Sequence, residues 1–251
     1  MSLNPNEEFG DRDASKIDEA ISKSIIPSYV SGKLKTIAGH FDMALPDQFE
    51  FWFKNWKRSD ENVDEVPGFV NRGDKNKPIK LRLPGKNKTP ATFETAVHET
   101  VHYNSNEMFA NNFGPRYNEG VTEYFTERVL GAPGRAYRGE LELAKGLIWA
   151  AGAGPMHSAG PFRIPKVSGF LISALGERDV GAAYFRDPAY LYYRVRQALG
   201  RANTFDAWWH KSRSKIPGDM KDANQLLVAA LTQPVSGSGG SSTTAGSGSR
   251  S

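Results

Sequence analysis

FETAVHETVHYN, residues 93–104, places His98 and His102 four positions apart, with Glu99 directly after the first histidine. Phe93, Ala96, Val97 and Val101 recur in the same stretch at helical spacing. Upstream, Thr89 followed by Pro90 reads as an N-cap with proline at the first helical position. On a helix, positions i and i+4 are neighbours, so the two imidazoles project side by side and suit one metal ion held through two ring nitrogens. Glu99 points about 100° further around the helix, where it can touch a water on such an ion and take its proton. Two histidines leave a catalytic zinc one protein ligand short. After 16 intervening residues comes Glu119, in NEGVTEYF, with Glu123 one turn on.

Outward from this stretch the period changes. KPIKLRLPGK, residues 77–86, alternates, with Ile79, Leu81 and Leu83 on one side and Lys80 and Arg82 on the other. Pro78 and Pro84 bracket it, which predicts an edge strand. Further upstream, Ile17, Ala20, Ile21 and Ile25 predict a helix from about Ser15 to Pro27, and VSGKLKTIAGHF, residues 30–41, a second one. Phe49, Phe51, Trp52, Phe53 and Trp56 read as core aromatics, and residues 57–77 as a long polar loop. Downstream, NNFGPR breaks the histidine helix. A second helix carries Glu119 and Glu123 and stops at GAPG, residues 131–134. The rest is helical in pattern: residues 139–152, 166–176, 187–200 with Asp187 as cap, 204–213 and 222–232.

The expected class is α+β, with a small sheet before the histidine helix and a helical C-terminal lobe. Residues 1–13 read as a polar lead, and 14–233 as one domain with an N-terminal lobe over about 14–112 and a C-terminal lobe over about 113–233. Residues 234–251 read as a flexible Gly/Ser-rich tail.

Composition narrows the function classes. Of 251 residues 39% are hydrophobic and 24% charged, an ordinary globular balance. No apolar run approaches the roughly 20 residues of a membrane span. The start MSLNPNEEFGDRDASK lacks the apolar stretch of a secretory signal, so the expected setting is cytoplasmic or export by a dedicated secretion system. Zero cysteines remove thiolate nucleophiles and Cys-based zinc sites, leaving histidine and carboxylate as metal ligands. A net charge of +4 is spread over 32 basic and 28 acidic residues, a solvated surface with no nucleic-acid footprint. The basic and aromatic run RVRQALGRANTFDAWWHKSRSK has helical spacing suited to burial on one face. No GxSxG elbow or phosphate loop is present.

From Ile79 to Glu123 the chain resembles the gluzincin zinc peptidases, the thermolysin and metallo-aminopeptidase type, in which HExxH is followed on a second helix by Asn-Glu-(Gly/Ala). The resemblance implies Zn2+ held by His98, His102 and Glu119, with Glu99 as catalytic base. It further implies Glu123 as the acid that orients His98 through its other ring nitrogen. The 16-residue interval is shorter than in the best-known members, and the third histidine of HExxHxxGxxH is absent. The strand IKLRL matches the one that pairs with extended peptide substrates, so the implied partner is a peptide or protein. The family also presents a Tyr or His to the tetrahedral oxyanion. Lys166 stands where related enzymes often place that tyrosine, and Tyr184, His157, Tyr192, Tyr193 and His210 are the candidates here. No aminopeptidase signature of the GxMEN kind is present, which favours an endopeptidase. Two other readings stay open: a non-catalytic binding module stabilised by zinc, and an effector or toxin protease delivered into another cell.

Overall fold

Ile79 to Arg82 form a strand at the centre of the sheet, not at its edge. A computed structural model of the chain describes residues 3–30, 40–55, 66–71, 76–85, 88–158 and 169–232. In it β1 (Phe41–Ala44), β2 (Gly68–Phe69) and β3 (Ile79–Arg82) stand in the order β1-β3-β2. β1 runs parallel to β3, with Phe41 opposite Ile79 and Ala44 opposite Arg82, while β2 is antiparallel, with Gly68 opposite Leu81. The bracketing prolines are compatible with a central position because Pro78 and Pro84 both lie outside the paired residues. The edge facing the histidine helix is β2, two residues inside what the sequence reads as a loop.

The alternation of β3 holds, but both faces are covered. Ile79 and Leu81 are buried in the main core, and Arg82 is buried as well, at 2% exposure. Its Nε donates to the Thr89 carbonyl at 2.7 Å, and its guanidinium lies 5.5 Å from the Phe49 ring centre. Lys80 pairs with Asp42 and rests 4.0 Å from the Trp52 ring centre. Those rings come from α2 (Pro46–Asn55), so the cationic face of the strand is packed on aromatic faces, an arrangement favoured by the ring quadrupole. Phe49 and Phe53 form a small second core with Ala44 and Phe69, whereas Phe51, read as core, is 63% exposed on the outer side of α2. Trp56 and most of the predicted second helix lie outside the described residues; the end of that segment, at Phe41, opens β1.

The remaining elements are helical: α1 (Ala14–Lys23), α3 (Phe93–Asn104), α4 (Glu107–Phe113), α5 (Pro115–Leu130), α6 (Arg138–Ser158), α7 (Gly169–Phe185), α8 (Ala189–Arg201), α9 (Phe205–Lys211) and α10 (Pro217–Thr232). The class is α+β. One main core runs from Leu3 and Phe9 through α3 and α5 to Leu227 and Leu231 of α10. α6 is its spine, packed against α5, α7 and α10. α5 opens with Pro115 after Gly114 (φ 97°) and closes on Gly131 in the left-handed region (φ 66°), the usual proline and glycine punctuation. Asp187 Oδ1 accepts from the Ala189 N–H at 2.9 Å and so caps α8 as expected. Among the described residues no helix is long and apolar enough to cross a membrane.

Candidate metal centre

The histidine helix begins three residues later than Thr89 and Pro90 suggest. Thr92 is the N-cap: its Oγ1 accepts from the Thr95 N–H at 3.4 Å. The N–H groups of Phe93 and Glu94, which no helical carbonyl can satisfy, donate to Glu7 and Pro5 at 3.1 and 3.2 Å. Residues 5–9 of the polar lead therefore lie across the start of α3, anchored by buried Leu3 and Phe9.

α3 packs on α5, and the two helices bring the predicted ligands together. His102 Nε2 lies 2.9 Å from Glu119 Oε2 and His98 Nε2 lies 3.4 Å from the same oxygen. One ligand atom each from His98, His102 and Glu119 falls within 4.8 Å of the other two. Both histidines are buried, at 5% and 2% exposure. Gly120, next to Glu119, is required by packing, because a Cβ there would overlap the Glu140 carbonyl where α6 begins.

Behind each imidazole stands a different holder. His98 Nδ1 is 3.1 Å from Glu123 Oε2, and because a carboxylate accepts, Nδ1 is the donor. His102 Nδ1 lies 3.0 Å from Thr122 Oγ1 and 3.3 Å from the Tyr184 hydroxyl. Thr122 donates its own hydrogen to the Asn118 carbonyl at 2.7 Å, so towards His102 and Tyr184 its oxygen accepts. With its amide turned so that Oδ1 meets Nδ1–H, Asn118, whose Oδ1 has no other partner, completes the same assignment. Each histidine then carries a hydrogen on Nδ1 and points its Nε2 at Glu119. Two ring nitrogens and a carboxylate oxygen converging in a buried place favour a positive charge between them, carried by a proton or by a metal ion. Two imidazoles and one carboxylate, with the rear nitrogens held, form a group that could hold a metal ion.

The carboxylates around His98 shift its titration. Burial pushes its pKa down, but hydrogen bonds to Glu119 and Glu123, aided by the charges of Glu99 and Glu119, more than reverse this and raise it to about 10. A cation on His98 is what the surrounding carboxylates favour.

Glu99 sits outside the ligand group. It lines a cleft of about 860 Å³ together with His98, Glu123, Glu94, Tyr137 and the Val66–Gly68 stretch leading into β2. Gly68 lets β2 approach α3: a Cβ there would stand 2.7 Å from Thr95 Cγ2 and 3.2 Å from Glu99 Cγ.

The candidates for an oxyanion donor are dispersed. Tyr184 is fully buried behind His102, on the side away from Nε2. Tyr192 packs its ring against Phe113, while Tyr193 and His210 are exposed on α8 and α9, and none of them lines the cleft. Lys166 and the side chain of His157 lie outside the described residues. Sequence reasoning missed Thr122 and the Tyr184 role. Asn118 and Thr122 stand at i and i+4 beside Glu119 and Glu123, a pattern available in the sequence, whereas Tyr184 arrives from α7.

Comparison with family models, with curated proteins and with solved structures finds no match for this chain.

Proposed function

We propose that the protein is a zinc-dependent peptidase of zincin-like build. The observation that carries this reading is the convergence of His98, His102 and Glu119 within 4.8 Å, with Glu99 beside them in the cleft wall. These three residues would hold the metal, and zinc so held supplies a Lewis acid that polarises a carbonyl and acidifies water. Glu99 accepts the proton of the attacking water and returns it to the leaving amine, so one carboxylate serves as base and then as acid. Glu123 keeps His98 in one tautomer and orientation, and Thr122, Asn118 and Tyr184 do the same for His102. β2, the edge strand beside Glu99, suits main-chain pairing with an extended peptide, which makes unstructured peptide or protein the substrate class.

A rival reading, a zinc clasp that only pins α3 to α5, takes support from the ligands bridging those two helices. Against it, the ligand group among the described residues has three members rather than the four of a closed structural site.

The test is zinc content and cleavage of a denatured protein by wild type and Glu99→Gln. Glutamine keeps the size and helix propensity but cannot take the proton, so zinc should stay while hydrolysis falls by about 100-fold or more. Equal cleavage by the two proteins rejects Glu99 as base. Stoichiometric zinc with no hydrolysis in wild type favours the clasp.

A further inference from the structure

The segment between α5 and α6, residues 131–137, doubles back over His98. Its backbone is tied at three points. Gly134 N–H donates to Glu127 Oε1 at 2.8 Å, and the N–H groups of Arg135 and Ala136 donate to Glu94 Oε1 at 2.6 and 3.3 Å. Glu94 sits on α3 one turn before His98 and is buried, at 9% exposure. Gly134 presses on Glu123 so closely that a Cβ would overlap Oε1, a fully buried oxygen with no hydrogen-bond partner. The segment ends on Tyr137, whose φ of 50° is unusual for a bulky residue. Tyr137 lays its ring almost parallel to the His98 imidazole, 5.0 Å between centres and 14° between planes.

We infer that this segment is a strap that fixes the orientation of His98, with Tyr137 and Glu94 as positioning residues. Glu123 grips the ring through Nδ1 but leaves it able to swing about that bond. Tyr137 covers one face, and His102 stands edge-on at 4.8 Å on another side, so the three together leave a single orientation of Nε2. Glu94 acts at one remove, by holding the backbone that carries Tyr137. The strained φ is retained because two carboxylates over-determine the segment.

The inference rests on the proposed metal site, and the experiment separates the two. Zinc affinity is measured by chelator competition for wild type, Tyr137→Phe, Tyr137→Leu, Glu94→Gln and Glu94→Ala, with urea unfolding of each metal-free protein. The His98 ring-proton shift in metal-free protein is recorded by NMR alongside. The strap predicts that Phe and Gln, which keep the ring and the acceptor, bind like wild type. Leu and Ala should bind about 10-fold more weakly, as when an outer partner of a ligand is lost. An upfield His98 shift should be present in wild type and Tyr137→Phe and lost in Tyr137→Leu. Tyr137→Leu binding as tightly as wild type, or a loss of affinity matched by a general loss of stability, overturns the strap. No zinc binding by wild type sinks the metal reading instead, and the His98 shift alone then decides whether the strap holds the ring.

Discussion

His98 and His102 stand four residues apart on one helix and are held by opposite means. His98 borders the cleft and is gripped by charge, with the Glu123 carboxylate behind it and the strap across its face. His102 faces inward and is held by a neutral network of Thr122, Asn118 and Tyr184 inside the helical core. The difference teaches a division of labour. A histidine on the cleft side needs a strong, charged holder because water competes for it, whereas one in the core is kept in place by packing, and weak hydroxyl contacts suffice.

The largest effect that tests this contrast is loss of either ligand. His98→Ala and His102→Ala should each lower zinc affinity by at least about 100-fold, more than loss of an outer partner does. In the metal-free proteins the two should part: His102→Ala leaves a core cavity and takes one hydrogen-bond partner from Thr122, and should cost about 2 to 4 kcal/mol in urea unfolding. His98→Ala, beside the cleft, should cost distinctly less. Equal losses would break the comparison.

Next in size is Glu123→Ala, which should weaken zinc binding by about 10 to 100-fold with the fold retained, while Glu123→Gln, keeping an acceptor for Nδ1–H, falls between it and wild type. Zinc titration of the three proteins orders them, and an unchanged Glu123→Ala would reduce Glu123 to a structural glutamate. Gly134→Ala should act in the same direction without touching a ligand, because the new Cβ displaces the Glu123 carboxylate. Its expected loss is about 10-fold in zinc affinity. The smallest effect belongs to Tyr184→Phe: about 1 kcal/mol of stability from one lost hydrogen bond, with zinc affinity changed less than about threefold. A larger fall in affinity would show that the neutral network governs His102 as strongly as charge governs His98.

The grouping of His98, His102 and Glu119 was legible because its logic is local: i, i+4 spacing and a carboxylate on a helix shortly downstream need only helical periodicity. What sequence could not supply came from neighbours distant along the chain. Arg82 alternates like a surface residue, yet α2 covers that face with Phe49 and makes it interior. β3 reads as an edge because Pro78 and Pro84 bracket it, while one neighbour, Gly68–Phe69, is too short for any periodicity to register and the other opens at Phe41, the end of a segment that reads as helix. The start of α3 was misread by three residues because Thr89 and Thr92 offer equal capping chemistry, and the choice is made by residues 5–9 pairing with the helix start. Tyr184 reads from the sequence as an oxyanion candidate, and its contact with His102, 82 positions away, leaves no local signal.

The separations themselves carry a kinetic consequence. His98 and His102 lie only 21 and 17 positions from Glu119, while Tyr184 must return over 82. Chain closure becomes less favourable as the loop lengthens, and contacts of short range form first. The consecutive helices α3, α4 and α5 are thus expected to bring His98, His102 and Glu119 together before α7 docks. A metal present during folding would then meet this group before α7 arrives, and docking of α7 behind His102 would slow the ion's escape. Zinc supplied before refolding should therefore be captured faster than zinc offered to the finished fold, a difference that a stopped-flow zinc indicator can time.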